Sequence, residues 1–419
     1  MKIIATSDWH LGNLFHGNDR LAEHHHFLKW LLTQLTTHRP DALLVAGDVF
    51  DNANPSAAAQ TVYYDFLAEA GKVCPDITIV ITAGNHDSAS RLEAPRPLLA
   101  RHKVEVRGNV KRIWAPNDEG EYVWQTDYKD LIIPINDSTA ILAVPYLRND
   151  VVQGTSYSDG VNKFLTQLTE TARKLYPTHR LVMMAHMYAK GAEIASKDAS
   201  EKIMIGGQEE VNMEGWSDHP DYLTCGHIHK RQHIWNTDWA RYTGSILPMS
   251  FTEKDYTHGV DLVTLDDKGK AKVEQLVYVP QHRLCILPDD DSELTPKALA
   301  KLVKKTLPDR TGDTLDDNFV YVTLKVKQEK VNNDEIKSLE ALFDTKNAVL
   351  CKIQKIIPEI DLTTITEAKR ITSIDDILER DPMKALEEAF LIKHNREMSE
   401  NLAGKLAEVI DSIKHENND

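Results

Sequence analysis

An α/β protein is the fold class predicted by this sequence of 419 residues. Three patterns predict it. Short apolar, β-branched runs of strand length alternate with helical patterns through residue 265 or so, as in a sheet covered by helices. These runs end abruptly at oxygen and nitrogen donors, several next to glycine, and open α/β sheets place their ligands at the carboxyl ends of strands. Residues 283–358 then repeat strand and helix on a smaller scale, which predicts a small α+β unit.

The organising stretch is Ala42-Leu43-Leu44-Val45-Ala46-Gly47-Asp48-Val49-Phe50-Asp51. Its apolar half has the length of a strand buried on both faces. Gly47 allows a sharp turn, and Asp48 emerges where an unpaired carboxylate is costly. Asp48 is therefore read as bridging two metal ions. Taken alone, the segment fits a turn or N-cap aspartate better. The recurrence of the pattern decides against that reading.

A first strand over 2–6 ends at Asp8 and His10, two apart and so on one side of an extended segment. Glu23-His24-His25-His26 leads into Phe27, Leu28, Leu31 and Leu35, and reads as the exposed first turn of an amphipathic helix, outside any site. A helix through Tyr63, Phe66 and Leu67 precedes a strand over 77–81, which ends in Gly84-Asn85-His86-Asp87. The Asn85 carbonyl can bind a metal without adding charge, His86 is a candidate proton donor, and Asp87 is expected to orient a histidine. Residues 105–137 show no clear period.

A strand over 141–146 is followed by a helix with Phe164, Leu165, Leu168 and Leu175 on one face. Strands over 180–185 and 222–226 end at His186 and at His227 and His229. Residues 188–215 read as a loop near the site, and 241–245 and 260–265 as later strands of a second sheet. From residue 280 the pattern changes: strands over 283–287, 319–326 and 348–357, with helices over 296–307 and 334–342 between them. The tail is helical. Ser373 with Asp376 and Asp381-Pro382 are helix starts, and Leu402, Leu406, Val409, Ile410 and Ile413 form one apolar stripe for its own domain or for a partner.

The composition excludes some classes. No apolar run approaches membrane-spanning length and no signal-peptide pattern is present, so a cytoplasmic protein with no membrane partner is expected. Cys74, Cys225, Cys285 and Cys351 form no Cys-x-x-Cys pair and read as reduced thiols. The net charge of -15 is spread along the chain: residues 280–419 carry 21 Lys and Arg against 28 Asp and Glu. Any nucleic-acid contact must therefore rest on a local patch, on bound metal or on a partner protein.

Taken together, Asp8-x-His10, Gly47-Asp48-x-x-Asp51, Gly84-Asn85-His86-Asp87, His186 and Gly226-His227-x-His229 resemble the calcineurin-like metallophosphoesterase signature in its order. Thr6-Ser7-Asp8-Trp9-His10-Leu11-Gly12, Ala46 to Asp51, Tyr242-Thr243-Gly244-Ser245 and Ser250-Phe251 resemble the nuclease subunits of that family that work with an ATPase partner. The resemblance implies a four-layer α/β/β/α sandwich over 1–279, a small α+β capping domain that contacts DNA over 280–360, and C-terminal partner-binding helices over 361–419.

It also implies two ion sites: Asp8, His10, Asp48 and His229 for the first, and Asp48, Asn85, His186 and His227 for the second, with His86 acting on the reaction. Relatives in other branches carry a histidine three residues after the bridging aspartate; Asp51 stands there in this chain. The implied cofactors are two divalent ions, manganese first and magnesium as the alternative, which suits oxygen and imidazole donors without thiolate. The implied activity is ATP-stimulated 3′-to-5′ exonuclease action on double-stranded DNA ends and endonuclease action on single strands and hairpins. The chain would work as a homodimer within a heterotetramer, in repair, recombination and replication. A phosphatase or cyclic-nucleotide phosphodiesterase with small substrates stays open beside it, as does a non-catalytic scaffold.

Overall fold

The computed structural model describes residues 1–117, 119–193, 210–212, 216–266, 270–290, 292, 294–327, 333–356 and 406. Residues 1–326 and 332–354 form one compact unit, described below; most of the second unit, including the helix starts and all of the stripe expected in the tail except Leu406, lies outside the described residues.

Two six-stranded sheets carry the fold. The first has the order Ala271–Tyr278, His258–Leu265, Lys2–Thr6, Ala42–Ala46, Thr78–Thr82, Val104–Arg107. Its last four strands are parallel. The second has the order Gln232–His233, Ala240–Tyr242, Tyr222–Gly226, Arg180–His186, Thr139–Ala143, Ile132–Asn136. Its four central strands are parallel.

Side-chain alternation makes the layers. Ile3, Ala5, Leu44 and Val80 meet Ile141, Ala143, Val182 and Met184 between the sheets. Ile4, Leu43, Val45 and Ile81 point the other way, onto Phe27, Leu31 and Leu35 of helix Leu21–His38 and onto Tyr63 and Phe66 of helix Ala57–Val73. Leu142, Leu181 and Met183 pack on Phe164, Leu165 and Leu168 of helix Tyr157–Leu175. The result is the expected α/β/β/α sandwich, with its central parallel strands buried on both faces. Ser56 and Ser156 cap two of these helices with their side chains.

Three expectations need correction, and one stretch without a clear period takes on structure. His258–Leu265 belongs to the first sheet, antiparallel to Lys2–Thr6; nothing local in its apolar pattern selects a neighbour so distant in sequence. Leu175 is exposed, because the helix ends there, past Ala172, its last buried residue. Residues 105–137 contain a hairpin, Arg112–Pro116 with Tyr122–Thr126, whose Trp114 and Trp124 are exposed. With no buried face the hairpin shows no apolar alternation. Finally, Glu23 and His24 are buried, not exposed.

The burial of Glu23 is explained by the third sheet, Arg283–Leu287, Val320–Lys327 and Ala348–Ile356, with helices Pro296–Thr306 and Asn333–Leu342. Glu23 forms a forked pair with Arg20 at 2.8 and 2.9 Å and accepts the Tyr321 hydroxyl at 3.1 Å. His282 lies 3.3 Å from the same carboxylate. Burial opposes ionisation of Glu23, but Arg20 and His282 outweigh it and hold its carboxyl at about 2. Burial drives His24 down to about 3, so its ring stays neutral. No helix among the described residues is long and apolar enough to cross a membrane. All four cysteines are free, two of them buried.

Candidate metal centre

The parallel strands of both sheets deliver their carboxyl ends to one place. Thr6 leads to Asp8 and His10, Ala46 to Asp48, Thr82 to Asn85 and His86, while Arg180–His186 ends in His186 and Gly226 leads to His227 and His229. The approach is close. A Cβ on Gly47 would stand 2.2 Å from His186 Nδ1, and one on Gly84 2.1 Å from Asp48 Oδ1, so neither position accepts another residue in this backbone.

Asp8, His10, Asp48 and His227 hold left-handed φ values of 51, 46, 49 and 100°. Each such non-glycine residue costs on the order of 1–3 kcal/mol and persists only where its surroundings enforce it. Backbone bonds lace the two loops together: Asp8 N to Gly47 O at 3.1 Å and His10 N to Asp48 O at 3.0 Å. Asp8 and His10 therefore do not share one side of an extended segment. Both reach the centre, but through tight turns.

Donor atoms of Asp8, His10 and His229 lie within 4.8 Å of one another, as do those of Asp8, Asp48 and His186. A third such group is His10, Asp48 and His86. Asp48 Oδ2 is 3.3 Å from His186 Nε2 and 3.7 Å from His10 Nε2, so this carboxylate stands between the two halves. Asn85 Oδ1 lies 2.9 Å from His186 Nε2 and 3.0 Å from His227 Nδ1. The seven expected ligands thus meet in one cluster. His86 sits at its edge, its ring 4.8 Å from that of His10.

The cluster fits divalent ions on its own chemistry. Among the described residues, Nε2 of buried His10 has no hydrogen-bond partner, a costly arrangement that a cation would relieve. Two imidazole nitrogens and an amide oxygen converge at Asn85, and no thiolate is among the donors. Asp8 is pre-set by its neighbours. It accepts His227 N at 3.0 Å and the Ser7 hydroxyl, and Ser7 Oγ lies 2.7 Å from Thr243 Oγ1.

The charges are strongly coupled. Burial opposes ionisation of Asp48, yet His186 outweighs it and holds that carboxyl far below the usual range. Burial likewise opposes protonation of His186, but Asp48 lifts it to about 9. Burial, then the positive His186, press His227 down to about 3. A metal takes the neutral ring. Uptake of Mn2+ at pH 7.5 is thus expected to release about one proton from His186, a release that fades as pH rises through about 9. Calorimetry in buffers of different ionisation enthalpy checks this; no proton release at pH 7.5 would contradict it.

Asp87 does not orient a histidine. Its buried carboxylate accepts the backbone N–H of Gly84 at 2.9 Å, Phe50 at 2.9 Å and Val49 at 3.1 Å. It pins the Asp48 loop to the Asn85 loop, and burial and then Asp48 push it up to about 6. Asp51 acts through backbone and side chain: its carbonyl accepts His86 Nδ1–H at 2.8 Å, while its Oδ1 accepts Asn13 Nδ2–H at 2.9 Å and lies 3.5 Å from His10 Nδ1. Sequence reasoning missed Glu253, whose Oε1 is 3.1 Å from His229 Nδ1. No motif marks it, since it is an ordinary acid 24 residues downstream of its partner.

Fold and site define a class before any particular relative. The calcineurin-like phosphoesterase family matches residues 1–231, and the chain belongs to that family, a metal-dependent hydrolase by class. Among individual proteins it is similar to SbcD of the nuclease SbcCD from Rhodobacter capsulatus, 33% identical over 78% of this chain and 80% of the relative. It is also similar to the Escherichia coli K12 protein of that name, at 29% over 82% of each chain. The Bacillus subtilis counterpart is 31% identical over 66% of this chain and 69% of the relative.

Proposed function

We propose that this chain is the nuclease subunit of an SbcC–SbcD-type complex. It would hydrolyse DNA phosphodiesters at two divalent ions, with an SbcC-type ATPase as partner. The observation that carries the reading is the convergence of Asp8, His10, Asp48, Asn85, His186, His227 and His229 at one end of two sheets. The similarity to the SbcD proteins, named as parts of a nuclease, supplies the reaction class.

In this reading Asp8, His10, Asp48 and His229 hold one ion, and Asp48, Asn85, His186 and His227 the other. Bound there, two divalent ions would supply Lewis-acid activation of water and neutralise the phosphodiester charge. The remaining steps belong to the chain. Asp48 keeps the two halves in register. The Asp51 carbonyl fixes the His86 ring through Nδ1–H, so Nε2 is the nitrogen that can hold a proton for the leaving oxygen. Asp8 and Asp48 offset only part of the charge of two divalent ions, so the centre attracts a polyanion despite the net charge of -15.

Residues 280–360 would serve as a DNA-contacting capping domain and 361–419 as the partner-binding segment. Work on DNA ends and hairpins in repair, recombination and replication, a homodimer within a heterotetramer, and a manganese preference complete the reading.

The test compares hydrolysis of duplex DNA ends, DNA hairpins and nucleoside monophosphates by the Mn2+-loaded chain, with and without the ATPase partner and ATP. DNA cleavage that rises with partner and ATP supports the proposal. Turnover confined to monophosphates would make the chain a small-substrate phosphatase, and no hydrolysis in any arm would leave a scaffold.

A further inference from the structure

We infer that Glu253 is the positioning residue that sets His229 for the first metal site. The inference rests on the metal centre proposed above. Glu253 closes a single 3-10 turn, Phe251–Glu253, and is completely buried. A buried carboxylate is costly unless it is hydrogen-bonded, and nothing in so short a turn demands an acid. Its two oxygens show what it serves. Oε2 accepts the backbone N–H of Met249 at 2.9 Å, which anchors the carboxylate to its own turn. Oε1 stands 3.1 Å from Nδ1 of His229, on a different loop.

An ionised carboxylate only accepts, so His229 must donate from Nδ1. Its Nε2 lone pair is then the one that serves the cluster with Asp8 and His10. Ring orientation follows as well, because the ring is nearly buried and lies 5.3 Å from His10 across the cluster. A carboxylate behind a ligating imidazole also raises its basicity. The second site is built differently. There His186 Nδ1 faces the neutral carbonyl of Ala46 at 3.0 Å. Glu253 therefore strengthens the first site selectively, and the two ions are held unequally.

The experiment uses the full chain, made metal-free, with Mn2+ alone as the probe and free Mn2+ read by electron paramagnetic resonance. Wild type is expected to take up two ions. In Glu253→Gln the amide can accept from His229 or from Met249 but not from both, so Mn2+ affinity at one step should fall about 10–100-fold, with the other step unchanged. Glu253→Asp should recover part of the loss. Nitrogen-15 spectra of the Mg2+-loaded wild type should show His229 protonated at Nδ1, a readout that does not need the variants to fold.

Superimposable titrations of wild type and Glu253→Gln, or His229 protonated at Nε2, would overturn the assignment while leaving the metal centre standing. A wild-type chain that takes up no Mn2+ would overturn the metal centre itself, and this inference with it.

Discussion

Asp48→Ala protein is expected to lose both ions and, with them, phosphodiester hydrolysis. The Asp48 carboxylate is close to both halves of the cluster, 3.3 Å from His186 Nε2 and 3.7 Å from His10 Nε2. Its removal also takes away the charge that lifts His186 to about 9. In the variant, burial would dominate and leave that ring neutral, so the core need not accommodate a lone buried cation. The fold should survive, since the strand Ala42–Ala46 ends before Asp48 and its packing is apolar. Lewis-acid activation is worth several kcal/mol, so DNA cleavage should fall by at least about 10³-fold. Metal content by mass spectrometry, DNA cleavage and thermal melting form the test. A variant that keeps two ions would remove Asp48 from the bridging role.

His86→Ala should separate chemistry from metal binding. His86 belongs to neither proposed ion site, and its ring is held from the side by the Asp51 carbonyl at 2.8 Å. The variant is expected to bind two equivalents of Mn2+ as wild type does, while kcat on DNA falls about 10²–10⁴-fold, the usual worth of a positioned acid or base. Normal cleavage would take His86 out of the mechanism. Loss of one ion would make it a ligand instead, a role that its place in the group with His10 and Asp48 keeps testable.

Much of this candidate centre is legible in the sequence. Apolar strand patterns ending at Asp48, Asn85, His186 and His227 located the site at the strand ends, because a sheet of parallel strands must send its ligands there. Other features were hidden. Asp8 and His10 gather through left-handed turns, which spacing alone does not reveal. Asp51 holds His86 through a backbone carbonyl, so its side-chain identity says little about that contact. Asp87 looked like a partner for a histidine and serves three backbone N–H groups, because chain direction after Gly84 aims its carboxylate at the neighbouring loop. Glu23 looked like part of an exposed helix start, because the sheet that covers it begins some 260 residues later.

By itself the amino-acid sequence determined the α/β class, the order of the strands along the chain and the chemical identity of the donor set. Those follow from local periodicity and from residue type, which are properties of neighbours in the chain. Only the tertiary structure decided which strand lies beside which, how each histidine ring is turned, and which distant acid stands behind it. Those depend on contacts between loops from separate strands, whose free energy appears only when the two sheets have packed.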